Sequence, residues 1–148
     1  MKKNNKGFTL VELIVVLVIL AILAAILVPA LLGYIDKARQ GQYEEEVHSI
    51  LTATQAKATE EYAKSTTTNG PASIADIKDY INPIVAPTIV TSGDIEYNSP
   101  TATSRMKNFT VTGITSLNFT SQDGKAIVAD VKDGAVTIKS VDGVSTGK

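Results

Sequence analysis

From Leu13 to Leu32 the chain reads LIVVLVILAILAAILVPALL, twenty residues without a charge. As a helix rising 1.5 Å per residue, this run spans about 30 Å, the thickness of a bilayer's hydrocarbon core. The segment can therefore cross a membrane. Lys2, Lys3 and Lys6 flank its N-terminal side, and the bias of basic residues toward the cytoplasm places residues 1–7 inside and the rest of the chain outside. A secretory signal also opens on basic residues, but its apolar core is only about 7–15 residues long and ends at a small-x-small cleavage site. This run is longer and leads into a helical pattern, so it is expected to be retained.

Glu12 stands at the entrance of the apolar run. An unpaired carboxylate carried to membrane depth costs on the order of a few kcal/mol, so the acid needs a partner. Cleavage between Gly7 and Phe8 would create one, an α-amino group that is cationic below roughly pH 8. Glu12 lies more than a helical turn from Phe8, so an axially displaced neighbour could present its amine more directly than the same chain. Pairing between copies would then set their register, because a mismatched stagger leaves both charges facing hydrocarbon.

The stretch Lys6-Gly7-Phe8-Thr9-Leu10-Val11-Glu12 resembles the prepilin signature of type IV pilins and related pseudopilins. The resemblance covers roughly the first forty residues. It implies that a membrane-embedded prepilin peptidase cuts after Gly7 and methylates Phe8, and that Glu12, the fifth mature residue, acts in assembly together with Phe8. Pro29 matches a proline that such helices often carry and that accompanies local unwinding on assembly. It reads equally as a generic breaker whose ring clashes with the carbonyl of Ala25 and kinks any membrane helix. The bland alternatives for the rest are a linker glycine, an interfacial aromatic and a snorkelling acid.

The implied partners are further copies of the chain in a homopolymer, the peptidase, and a membrane platform protein with its assembly ATPase. Membrane lipid surrounds the helix before assembly. The implied location is a single pass through the cytoplasmic membrane, then an extracellular filament serving adhesion, motility or aggregation. A pseudopilin of a type II secretion or DNA-uptake system is the alternative within the family. A membrane-anchored binding module that never polymerises is the alternative outside it.

Three segments follow: a leader over 1–7, an apolar helix over 8–33, and an amphipathic helix with a globular head over 34–148. After Gly33, Tyr43, Val47, Ile50, Leu51, Thr54, Ala58 and Tyr62 recur every three or four residues, the spacing of one buried helix face. Glu44, Glu45, Glu46, Lys57, Glu60 and Glu61 are expected to face water. Ser65 to Pro71 breaks the helix. Ser73 can cap a short helix that carries Ile74, Ile77 and Ile81 and ends before Pro83. Residues 82–107 read as a connection with one strand near Thr88 to Thr91. From Asn108, β-rich stretches are punctuated by Gly113, Asp123-Gly124, Asp133-Gly134 and Asp142-Gly143, and Asp-Gly pairs favour tight hairpins. Ile127, Ala129 and Val131 alternate with other residues, as do Val136 and Ile138, so one sheet face can cover the helix stripe. The expected fold is α+β, a long N-terminal helix packed on a C-terminal antiparallel sheet.

Other chemistries find little support. The chain has 14 basic and 15 acidic residues; the three lysines ahead of Gly7 leave 11 against 15 after it, a balance of −4. Lys37 with Arg39 and Arg105 with Lys107 are its tight basic pairs, too sparse a stripe for duplex nucleic acid. Cysteine is absent, which removes disulfides, thiolate metal sites and cysteine nucleophiles. His48 is the single histidine and reads as a structural or surface residue, so no triad can be assembled around it. No Walker, dinucleotide-binding or zinc-hydrolase motif occurs, and neither an enzyme nor a cofactor is expected. Asp123, Asp130, Asp133 and Asp142 lack the spacing of a calcium loop and read as turn residues. The sequons at Asn108 and Asn118 carry no function in this reading.

Overall fold

The computed structural model describes residues 7–64, 73–98 and 110–146. Lys2, Lys3 and Lys6 of the leader, the breaker Ser65–Pro71, the basic pair Arg105 and Lys107, and the sequon residues Asn108 and Phe109 lie outside the described residues. The side chain of Tyr62 does too. Helix α1 runs Leu10–Lys64, and the chain divides into two compact units between Gln40 and Gly41.

In the first unit every described residue is exposed. Its helix is apolar on all sides and belongs to a segment whose best 18-residue window reaches a mean hydropathy of 3.3. Such a helix is at home in lipid or against other helices, not in water. Pro29 sits inside α1, which continues through it.

The second unit is α+β. Tyr43, Val47, Ile50, Thr54 and Ala58 of α1 are buried, as the periodicity requires, and Ala53 joins them. They share one core with Ile114, Leu117, Phe119, Ile127, Ala129 and Val131 of the sheet. Thr54 is tolerated there because its hydroxyl donates to the carbonyl of Ile50 at 2.8 Å. Lys57, expected in water, is only partly exposed. Its ammonium lies 4.9 Å from the Tyr80 ring centre, where an aromatic face attracts a cation, and 2.6 Å from Glu61.

Helix α2 spans Ile74–Val85 and begins with a capping box in which the backbone N–H of Ser73 donates to Asp76 at 3.2 Å. It does not end before Pro83. The proline is exposed, while Ile81 and Val85, four residues apart, are both buried. Burial of that face offsets the backbone bond lost at Pro83. Asn82 reinforces the turn: its side chain accepts from the N–H of Val90 at 2.7 Å and donates to the Val90 carbonyl at 3.3 Å.

Five strands follow: β1 Ile89–Tyr97, β2 Val111–Thr120, β3 Ala126–Lys132, β4 Ala135–Val141 and β5 Val144–Ser145. They form an antiparallel sheet in the order β1-β2-β3-β4-β5. β1 is longer than expected because Ser92-Gly93-Asp94 lies within the strand at irregularities of register instead of ending it. A Cβ at Gly93 would meet the Leu117 backbone at 3.1 Å, so the glycine serves close packing. Gly113 is likewise no breaker. It lies in β2, where a Cβ would come 2.5 Å from the Val131 carbonyl oxygen.

The Asp-Gly pairs turn the chain as expected. Asp133 (φ 50°) with Gly134 (φ 81°), and Asp142 (φ 50°) with Gly143 (φ 78°), join β3 to β4 and β4 to β5. Positive φ at both central residues is the hairpin geometry whose twist matches the strands. Asp123-Gly124 lies in a longer loop closed by a 2.9 Å bond between the Ser121 N–H and the Lys125 carbonyl.

Candidate functional site

At the N-terminal end of α1, Gly7 and Phe8 precede the helix and are exposed, Phe8 at 86%. Thr9 caps the first turn. Its hydroxyl accepts from the N–H of Glu12 at 3.3 Å, and the Glu12 carboxylate accepts from the Thr9 N–H at 2.9 Å and the Thr9 hydroxyl at 2.7 Å. This reciprocal capping satisfies donors that the start of a helix otherwise leaves free. A carboxylate also suits the positive end of the helix dipole.

The structure thus provides Glu12 with a partner within its own chain. Sequence reasoning sought that partner in a neighbour and passed over Thr9, although Thr-x-x-Glu ahead of an apolar run is the pattern of a capping box. Gly7, Phe8 and Glu12 fall within six consecutive residues, and Pro29 lies five turns further along the same helix.

The second polar centre overturns an expectation. Glu46 does not face water; it is 5% exposed. Its carboxylate accepts from the hydroxyls of Thr88 at 2.8 Å and Ser121 at 2.7 Å, from the Gln122 N–H at 3.4 Å and from the Gln42 amide at 3.0 Å. The physical reason is position: Glu46 stands three residues after Tyr43 and four before Ile50, on the buried face of α1. Strand ends remote in sequence bring the hydroxyls to it. One turn earlier, the Tyr43 hydroxyl donates to Asp123 at 2.8 Å. Glu44 and Glu45 do reach solvent.

His48 is exposed and lines a groove of about 410 Å³ between α1 and α2, together with Glu45, Ser49, Thr52, Ala53, Ala56, Ile84 and Val85. The acids of the sheet have structural partners. Burial opposes the charged form of Asp130, but the Lys139 ammonium and the Ser116 N–H hold its carboxyl below the usual range. Lys125, with the Ala126 N–H, holds Asp142 low as well. Asp123 accepts from Tyr43, and Asp133 sits in a turn. Among the described residues no group of three His, Cys, Asp or Glu side chains is placed to hold a metal ion. Burial pushes the Tyr97 phenol up to about 12. The side-chain amide of Asn118 donates to the Ser92 hydroxyl at 3.1 Å and the Ser116 carbonyl at 2.7 Å.

Residues 2–28 match the family described as the prokaryotic N-terminal methylation motif, the signature of type IV prepilins. No curated protein and no solved structure matches the chain in the corresponding comparisons. The N-terminal region is similar to that of type IV pilin-like and pseudopilin proteins. The motif implies processing by a prepilin peptidase, and with the apolar helix it fits a membrane-anchored precursor.

Proposed function

We propose that this chain, which carries the prepilin signature, is the structural subunit of a type IV pilus. The precursor spans the cytoplasmic membrane once and is cut between Gly7 and Phe8, and Phe8 is N-methylated. The mature helix then leaves lipid to pack against like helices in a filament, with the heads outward.

One observation carries this reading: the methylation motif runs into a helix whose large hydrophobic side chains, from Leu10 to Leu32, are exposed. Since lipid is already apolar, transfer from lipid to protein supplies no hydrophobic driving force. Packing and the polar contact of Glu12 must hold the polymer, and external work must extract the subunit. By family resemblance that work comes from a cytoplasmic ATPase acting through a membrane platform protein. In the filament, Glu12 exchanges part of its contact with Thr9 for the new amine at Phe8 of a neighbouring copy. An unmatched stagger would leave both charges in apolar surroundings.

Mass spectrometry of the N-terminus, in cells with and without prepilin peptidase, tests the proposal. With the peptidase, sheared filaments should begin at methylated Phe8; without it, the chain should stay in the membrane with residues 1–7 attached. Filaments built from uncleaved chains would refute the reading.

A further inference from the structure

Among the described residues from Gly41 onward, three large hydrophobic side chains are exposed: Ile84 at 56%, Ile89 at 54% and Val144 at 69%. Two of the three flank one turn. From Asn82 to Gly93 the chain carries no charge, and Pro83, Ala86 and Pro87 are exposed beside the two isoleucines. The groove between α1 and α2 adjoins this turn through Ile84 and Val85. Its serine and threonine do not make it polar, because Ser49 donates to the Glu45 carbonyl at 3.1 Å and Thr52 to the His48 carbonyl at 2.9 Å. What remains is an apolar lining of Ala53, Ala56, Ile84 and Val85, with Glu45 and His48 beside it. An exposed apolar patch edged by polar groups marks an interaction surface.

We propose that this groove and the turn beside it receive the segment from Tyr34 to Arg39 of a second copy of the chain. The proposal rests on the polymer reading above and names the surfaces through which heads and helices of different copies meet. The segment has the required chemistry. Tyr34 is 70% exposed and Ile35 40% exposed, and Arg39 follows Ile35 by about one helical turn, with Asp36 and Lys37 between them and Lys37 on the opposite side of the helix. Ile35 and Arg39 are four residues apart, so an apolar and a basic side chain share one helix face and match an apolar lining that carries the acid Glu45.

Charge also decides between two ways of joining copies. Groove against groove would bring Glu45 of one copy to Glu45 of the next and would close into a dimer. Groove against the Ile35–Arg39 face sets Arg39 against Glu45 and is heterologous, the kind of contact that propagates along a filament.

The absence of cysteine from the chain permits a clean test. Chains bearing Ile35→Cys are co-expressed with chains bearing Ile84→Cys, and sheared filaments are oxidised. Mixed disulfide-linked dimers should exceed those from either single variant several-fold. Filaments containing both variants without mixed dimers, or dimers from Ile84→Cys alone, would overturn the proposal. A second measurement uses charge: Glu45→Arg should lower filament yield about tenfold, and adding Arg39→Glu in the same chain should restore it. Failure of the reversed charges to restore filaments would count against the contact. Processed filaments without the cross-link would sink only this inference, whereas filaments that keep residues 1–7 would sink the pilin reading itself.

Discussion

Glu46 of α1 and Ser121 at the end of β2 are 75 residues apart in the chain, and their side chains meet at 2.7 Å. With Thr88 at 2.8 Å on the other carboxylate oxygen, they join the helix to the start of one strand and the end of another. A buried acid surrounded by donors holds the head to the helix only while every partner is present, since an unsatisfied buried polar group is costly.

Glu46→Ala should therefore lower the unfolding free energy by about 2–4 kcal/mol, because it strands the hydroxyls of Thr88 and Ser121 and opens a cavity. Urea unfolding of the full chain in detergent micelles, followed by circular dichroism, measures the shift. Glu46→Gln keeps the volume and one acceptor oxygen and should lose less.

Thr9→Ala removes the hydroxyl that joins Glu12 to the helix start. The first turn should fray, and amide hydrogen exchange in micelles should accelerate from Leu10 to Leu13 while the head is unaffected. Thr9→Ser keeps the hydroxyl and should restore slow exchange. Equal exchange in all three chains would mean that the cap does not hold the turn.

Gly113→Ala drives a methyl group against the Val131 carbonyl oxygen, which lies 2.5 Å from the site of the new carbon. Backbone cannot yield as a flexible side chain can, so β2 and β3 must separate locally. The expected loss is about 1–3 kcal/mol, read from thermal unfolding. Gly124→Ala meets no neighbour within 4 Å but has φ 83°, so it should be strained by backbone conformation alone.

Asp130 sets a pH dependence. Lys139 and Ser116 hold its folded pKa below the ordinary value, so its contribution to stability is present above an unfolded pKa of about 4 and is lost as pH falls through the lowered value. The unfolding midpoint should drop on acidification, and Asp130→Asn should drop less over the same range. Both side chains are partly exposed, at 49% for Lys139 and 26% for Asp130. Solvent screening therefore keeps the difference below about 1 kcal/mol. Identical acid profiles for the two chains would show that the ion pair contributes nothing.

Much of this protein is written in residues close together in the chain. The apolar run from Leu13 to Leu32, the buried stripe from Tyr43 to Ala58, the cap at Ser73 and the Asp-Gly hairpins each depend on side chains within a turn or two of one another, where periodicity and backbone preference act directly. The cap of Glu12 by Thr9 belongs to the same class and was legible as Thr-x-x-Glu. Tertiary structure decided the rest. Glu46 looks solvated beside Glu44 and Glu45, and its burial depends on Thr88, Ser121 and Gln122, donors remote in the chain. Pro83 looks like a stop until Val85 finds the core, and Gly113 looks like a break until Val131 lies against it. In each case the deciding atoms come from another part of the chain, and folding alone brings them within reach.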